Sequence, residues 1–146
     1  MTHKEKALDY YDRKFHCSQA VLAAFAPECG LTEEQALKLG ACFGSGMRKG
    51  EVCGACTGAL MALGFKYGMS TVGDREKQQI ADNYAKQFLN EFSKQNGSYL
   101  CRELLKCDLS SDEERKYARE RGLFSTICPK LIESAVLIAE KIINEA

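Results

Sequence analysis

The chain has 146 residues, of which 45% are hydrophobic, a size and composition that fit one domain with a single substantial core. Twenty Lys and Arg balance twenty Asp and Glu, so the net charge is zero and no long basic block is present. This balance argues against a protein that binds nucleic acid or an anionic membrane surface, and favours a partner that is a small molecule or another protein.

Apolar residues recur at intervals of three and four, and long β-branched alternations are absent, so the sequence predicts an all-α fold. Capping boxes that begin at Thr2 and Thr32 predict two helix starts. Between them, a helix over Ser18 to Ala26 is expected to end before Pro27, which leaves Cys29 in a loop.

The middle of the chain predicts a loop over Gly44 to Gly50 and then a small-residue helix that begins near Cys53. Asp74 can cap a long amphipathic helix that ends before Gly97. We expect the apolar stripe of this helix to lie in the core: Ile80, Ala81, Tyr84, Ala85, Phe88 and Phe92.

The C-terminal third predicts a short helix containing Cys101, another capped by Ser111, and a last helix with Pro129 in its first turn. The expected core face of the last helix is Leu131, Ile132, Ala135, Val136, Ala139 and Ile142. The sequence therefore predicts a compact single-domain bundle of about six or seven helices, with residues 1–146 forming one cysteine-rich domain.

Eight cysteines are present, and four of them fall where a helix is predicted to begin: Cys17, Cys53, Cys101 and Cys128. A helix N-terminus carries about half a positive charge and unpaired N–H groups, which favour the thiolate form of a nearby thiol. We therefore expect the pKa of Cys53 to fall from about 8.5 towards 7, where the thiol is substantially ionised at cellular pH.

The compartment bears on what these thiols do. Met1 to Lys14 are strongly charged and lack the apolar run of a secretory signal, and the longest uncharged stretch, Val52 to Phe65, is too short to span a bilayer. We therefore expect a cytoplasmic protein without membrane insertion. In a reducing cytosol, cysteine richness favours metal binding or redox turnover over a permanent disulfide framework.

The densest constellation is Cys53-Gly54-Ala55-Cys56-Thr57-Gly58. Gly54 and Gly58 share one helical face, so a neighbouring backbone can approach closely and bring its side chains up to Cys53. Cys53 and Cys56 have C-x-x-C spacing, which puts both sulfurs on one side of a first turn, near enough for a disulfide or a shared metal. A thioredoxin-like fold is not predicted, because no strand precedes the motif.

With this motif the chain resembles the C-GCAxxG-C-C family, small bacterial and archaeal proteins defined by four cysteines and a CGAxxG motif. The matching cysteines are Cys17 within Phe15 to Val21, Cys53 in the motif, Cys101 before Arg102 and Cys128 before Pro129. The resemblance covers nearly the whole chain and implies redox chemistry. A related domain in a haem-containing cytochrome is linked to an iron–sulfur centre, which implies metal ligation as the alternative.

The first functional hypothesis is thiol–disulfide exchange, which would make the protein a thiol–disulfide oxidoreductase. Cys53 attacks an oxidised partner, and Cys56, Cys17 or Cys101 resolves the mixed disulfide. The partner is then a redox protein or a small-molecule oxidant or reductant. Nearby residues that can add positive charge are His16, Arg48 and Lys49.

The second hypothesis is an electron-transfer protein with an iron–sulfur or other metal centre, whose ligands are Cys17, Cys53, Cys101 and Cys128. Iron is favoured over zinc because the ligand separations do not resemble paired zinc-knuckle spacing. The sequence contains no C-x-x-C-H motif and therefore no c-type haem attachment site.

The third hypothesis is a non-enzymatic structural or interaction protein whose cysteines fill the core. That interpretation is the leading one for Cys29 and Cys42, whereas Cys56 and Cys107 are additional thiols that can resolve a disulfide or replace a ligand. Small-residue helix faces serve internal packing and dimer interfaces equally, so the sequence leaves the oligomeric state open.

Overall fold

The computed structural model describes residues 1–145, in which nine α-helices form and backbone pairing between extended segments is limited to one bridge. The helices are α1 (His3–Asp12), α2 (Cys17–Ala24), α3 (Glu33–Gly40), α4 (Gly54–Tyr67), α5 (Arg75–Asn96), α6 (Cys101–Leu105), α7 (Asp112–Glu120), α8 (Leu123–Thr126) and α9 (Cys128–Glu145). The all-α prediction is confirmed. The count exceeds the expected six or seven, since helices as short as α6 and α8, with five and four residues, leave no helical period in the sequence. Ala146, the last residue of the predicted domain, lies outside the described residues.

Local side-chain chemistry explains several helix starts. The predicted capping boxes form at Thr2 and Thr32, where each side chain accepts a hydrogen bond from the N–H three residues later. Asp74 caps α5 in the same way. Each cap satisfies an N–H group that would otherwise lack a partner inside its helix.

Buried side chains form two clusters. The major cluster is built mainly from α2, α4, α9 and the C-terminal half of α5, and it includes Phe25, Phe88 and Ile132. The minor cluster consists of Cys101, Leu105, Leu109, Ala118 and Cys128. Tyr11 and Ile127 pack against both clusters, so the boundary between them passes beside the end of α1 and the start of α9.

The apolar stripe of α5 lies in the core only over its C-terminal half. Phe88 and Phe92 are fully buried, but Ile80 is 41% exposed and every side chain in residues 75–80 is exposed. The prediction was wrong for Ile80, because an apolar period shows which face of a helix is apolar and not how far neighbouring elements cover it.

The predicted core face of α9 is confirmed, since all six of its residues are buried. In the part of the chain that the structure describes, no single helix is long and apolar enough to cross a membrane. The helix α7 and the stretch Leu123–Glu145 pass that test only together, by length and composition, as a pair bent by 59°.

Candidate functional site

The four cysteines predicted at helix starts do stand there. Cys53 is the N-cap residue of α4, and Cys17, Cys101 and Cys128 are the first residues of α2, α6 and α9. All four line one cavity of about 620 Å³ between the two clusters. The structure therefore brings together residues that are widely separated in the sequence.

Close packing of α2 on α4 puts Cys17 beside Cys53. A Cβ atom on Gly54 would overlap Sγ of Cys17, and one on Gly58 would lie only 2.7 Å from the carbonyl oxygen of Ser18. The close approach predicted from the two glycines is therefore confirmed. It lets the thiol of Cys17 interact with the thiol of Cys53 at the first turn of α4.

A short antiparallel bridge between Val52 and Leu100 brings Cys101 to the same place. The Cys53 N–H donates to the carbonyl of Tyr99 at 2.8 Å, and the Cys101 N–H donates to the carbonyl of Glu51 at 2.7 Å. Sequence reasoning missed this bridge because one pair of residues has no alternating pattern.

The loop before Cys53 has a left-handed backbone around Ser45, Met47 and Arg48, whose φ angles are 54°, 57° and 63°. This conformation costs L-amino acids about 1–2 kcal/mol per residue. It places the N–H of Ser45 as a donor to the sulfur of Cys17 and puts the Arg48 side chain on the cavity wall. The strained loop thus supplies both a hydrogen bond and a charge to the site.

The thiols do not have the lowered pKa expected from their place at helix starts. The hydrogen bond with Cys53, followed by burial, raises the pKa of Cys17 well above its ordinary value. The interaction with Cys17 acts to lower the pKa of Cys53, but the interaction with Cys56 and burial outweigh it, and that pKa is also raised. Burial is the main cause that raises the pKa values of Cys101 and Cys128 to about 12.

The backbone at the start of α4 explains why the helix does not acidify Cys53. The carbonyl oxygen of Cys53 accepts the N–H groups of Cys56 and Thr57, at 2.9 and 3.1 Å. The Cys53 side chain accepts no capping hydrogen bond from an N–H group of the helix. The sulfur therefore has the cost of burial without hydrogen bonds from the helix backbone, and the hydrogen bond with Cys17 alone does not offset that cost.

Cys56 stands apart from the other predicted catalytic residues. It is fully buried and interacts with the thiol of Cys53, but it does not line the cavity. The predicted catalytic set thus divides into Cys17, Cys53 and Cys101 on the cavity wall and Cys56 behind it.

Tyr11, at the end of α1, is a site residue that sequence reasoning missed. Its hydroxyl donates to the carbonyl of Phe124 at 2.7 Å, and the side chain also interacts with the thiol of Cys128. Burial raises the pKa of Tyr11, so it stays a neutral phenol in the cavity wall. The available signal was its position four residues after Ala7, on the buried face of α1.

Arg115 on α7 is the second missed residue. It is 9% exposed and lines the cavity together with Arg48 and Arg119. Its spacing from Ala118 places it on the inward face of α7, although the helix otherwise resembles a solvated charge run. His16 also lines the cavity, where burial lowers its pKa and so disfavours the positive charge that this imidazole can carry.

The remaining candidates lie outside the cavity. Cys29 is buried in the major cluster, whereas Cys42 and Lys49 are exposed. Cys107 is near enough to Cys101 to raise its pKa but does not line the cavity. The prediction that Cys29 fills the core agrees with its burial, but the same prediction was wrong for Cys42, which is exposed. The apolar character of a cysteine does not show whether neighbouring elements cover it.

Four thiolates would be a suitable set of ligands for iron or zinc. The four cysteine side chains, however, do not have the geometry of a ligand set. Among residues 1–145, no group of three or more His, Cys, Asp or Glu has an arrangement that could hold a metal ion. All eight cysteines are free thiols. The metal centre at Cys17, Cys53, Cys101 and Cys128 stays a prediction.

Comparison with known proteins gives one match. A family model described as "Putative redox-active protein (C_GCAxxG_C_C)" matches residues 15–142, a range that contains all four helix-start cysteines. No curated protein and no solved structure matches the chain. The family description is one of redox activity, and it specifies neither mechanism nor substrate.

Proposed function

Because the chain belongs to the C-GCAxxG-C-C family of redox-active proteins, we propose that it performs thiol–disulfide exchange. Cys53 is the attacking residue and Cys17 the resolving residue. The observation that carries this proposal is the interaction of these two thiols on the wall of a cavity. Cys56 also reaches Cys53, but its position behind the wall makes it the less suitable resolving residue.

The exchange has two steps. The Cys53 thiolate attacks one sulfur of a disulfide in the oxidised partner, forms a mixed disulfide and releases the first partner thiolate. The Cys17 thiolate then attacks the Cys53 sulfur, and the second partner thiolate leaves. The two thiol protons of the protein end on the two released thiolates. The partner gains two electrons and the protein gains an internal Cys17–Cys53 disulfide.

The raised pKa values set the expected direction of this exchange. A strongly oxidising disulfide belongs to a protein whose reduced form is stabilised, often as a low-pKa thiolate. Here burial and the thiol contacts disfavour the thiolate forms of Cys17 and Cys53. We therefore expect the pair to act as a reductant, in keeping with the cytoplasmic location that the sequence predicts.

A second candidate function is an electron-transfer centre in which the four helix-start cysteines hold an iron–sulfur cluster or zinc. The observation that favours it is that all four line the same cavity. In their present positions the side chains do not form a ligand group, so metal loading would require them to move towards one another.

Anaerobic purification separates these functions. The visible spectrum, iron, zinc, sulfide and free thiols are measured, and the protein is then treated with 2-hydroxyethyl disulfide. Exchange predicts a colourless protein that loses two thiols and gains a Cys17–Cys53 disulfide, identified by peptide mass spectrometry and reversed by dithiothreitol. Cys53→Ser should abolish this change, and Cys42→Ser, at an exposed cysteine, should retain it.

Three outcomes contradict the proposal. Stoichiometric iron and sulfide, or stoichiometric zinc, would establish the metal centre instead. A disulfide between Cys53 and Cys56 would refute the role given to Cys17. A metal-free protein whose thiols react with neither small nor protein disulfides would support the structural or interaction protein.

A further inference from the structure

Arg115 has a feature that the exchange chemistry does not explain. Its side chain is nine-tenths buried, and its Nη1 atom is buried with no hydrogen-bond partner in the described part of the chain. Removing a donor on a charged group from water without giving it a partner is strongly unfavourable. Because Arg115 lines the cavity, the missing partner can be an anion that enters there.

Two further guanidinium groups reinforce this preference. Arg48 and Arg119 line the same cavity, and within residues 1–145 neither they nor Arg115 form a salt bridge. Burial lowers the pKa of Arg115 most, the charges of Arg48 and Arg119 lower it further, and the carboxylate of Asp112 acts in the opposite direction. Lys14 also lines the cavity. Among the lining residues that the structure describes, Asp12 is the single carboxylate. The cavity wall therefore carries an excess of positive charge.

The dimensions of the cavity indicate the size of the ligand. Its volume of about 620 Å³ is in the range of small-molecule sites, roughly 300–1,000 Å³. Cys53 and Cys101 are only 4% and 7% exposed, so the surface of a folded partner does not reach them as readily as a small molecule inside the cavity.

We infer that the cavity binds a low-molecular-mass disulfide that carries a carboxylate or phosphate group, with Arg115, Arg48 and Arg119 forming the anion subsite. This substrate class rests on the proposed exchange function. The anion is held by the guanidinium forks while the disulfide reaches Cys53, because Arg115 is near Cys101 on the same wall. The substrate accepts two electrons and two protons from Cys17 and Cys53 and leaves as two thiols.

Matched disulfides test this inference. The reduced protein is mixed with 3,3′-dithiodipropionate, which is anionic, 2-hydroxyethyl disulfide, which is neutral, or cystamine, which is cationic, and the thiols formed are followed. We expect the anionic compound to react at least about tenfold faster than the neutral one, since charge-assisted hydrogen bonds commonly give that factor, and the cationic one to react slowest. In Arg115→Gln the anionic-to-neutral ratio should fall towards one, whereas Arg121→Gln, at an exposed arginine outside the cavity, should keep it.

Binding without chemistry provides an independent measurement. The thioether 3,3′-thiodipropionate has the same carboxylates but no disulfide, and inorganic phosphate tests the other anion class; both are titrated calorimetrically. We expect at least one to bind, about tenfold more weakly in Arg115→Gln and in Arg48→Gln. Arg48 is exposed, so its variant tests the subsite even if Arg115→Gln does not fold.

The outcomes distinguish this inference from the proposed function. Exchange at equal rates with all three disulfides, with neither anion bound, would overturn the anion subsite and leave exchange intact. Arginine-dependent anion binding with no disulfide reduced would support the subsite and overturn exchange. Exchange with protein disulfides but none of the small ones would overturn the substrate class.

Discussion

The two walls of the cavity are built in different ways. Cys17 and Cys53 lie on the major cluster, where glycines hold α2 against α4. Cys101 and Cys128 belong to the minor cluster, which gathers residues from α6, the segment after it, α7 and the first turn of α9. In residues 1–145 the major cluster has twenty-four buried residues and the minor cluster five. Local stability increases with the number of buried apolar contacts. We therefore expect the part of the cavity wall formed by the minor cluster, the minor wall, to move at a lower cost in free energy than the part formed by the major cluster, the major wall. Thiol–disulfide exchange would need only Cys17 and Cys53 on the major cluster. A metal centre would also need Cys101 and Cys128 on the minor cluster to move towards them.

The largest expected effect is a loss in the free energy of unfolding, and it should differ between the two clusters. Phe88→Ala removes a fully buried ring from the major cluster and should lower the free energy of unfolding by about 3–5 kcal/mol. Leu109→Ala, at a fully buried side chain of the minor cluster, should cost about 2 kcal/mol, since a small cluster collapses more easily around a cavity. Urea unfolding followed by circular dichroism measures both, and an equal or greater loss at Leu109 would contradict the comparison.

A smaller effect tests the glycine contact that builds the major wall. In Gly58→Ala the added Cβ meets backbone of α2, which cannot easily yield, so we expect a loss of about 1–3 kcal/mol and a slower exchange reaction. Gly64→Ala is the matched control on the same helix, with nothing within 4 Å of the added atom. It should gain about 0.5–1 kcal/mol, because alanine is the better helix former. Similar unfolding curves for the two variants would mean that the close approach is not required.

The smallest effect concerns pH and the minor wall. The pKa values of Cys101 and Cys128 are about 12 in the folded protein, above that of an unfolded thiol. Between those values the unfolded chain releases protons that the native state retains, so stability is complete below the unfolded pKa and declines as pH rises towards 12. From pH 7 to 9.5 each thiol should contribute a loss of about 1 kcal/mol.

Denaturation in reductant at both pH values checks this expectation. Cys101→Ala should reduce the pH dependence by about the contribution of one thiol, whereas Cys42→Ala, at an exposed cysteine, should leave it unchanged. If the wild type and both variants lost the same stability between the two pH values, burial would not raise the pKa of Cys101 in the folded protein.

Local features were predictable from the sequence, and long-range ones were not. The capping boxes at Thr2 and Thr32 depend on neighbours three residues away, and the position of each helix-start cysteine depends on its own flanking residues. The Gly54 and Gly58 face correctly predicted a close approach, since two glycines on one helical face leave room for a neighbouring backbone.

The electrostatics of the site required the assembled fold. The helix N-terminus favours a thiolate, but Cys53 uses its carbonyl to satisfy the local N–H groups and lies in a buried setting that the sequence does not reveal. Tyr11 and Arg115 look like ordinary residues of polar helices until α1 and α7 are packed beside the cysteines. Their roles depend on contacts across the chain, as the Tyr11 bond to Phe124 shows.

The bridge between Val52 and Leu100 has a consequence for folding order. Helices α4 and α5 form from local contacts, but this pairing must close the long loop that contains both of them. We therefore expect the pairing, and the cavity it completes, to form after these two helices. A newly made chain can gain most of its helix content while Cys53 and Cys101 are still apart, and its thiols are then exposed to oxidants before they have acquired their native neighbours.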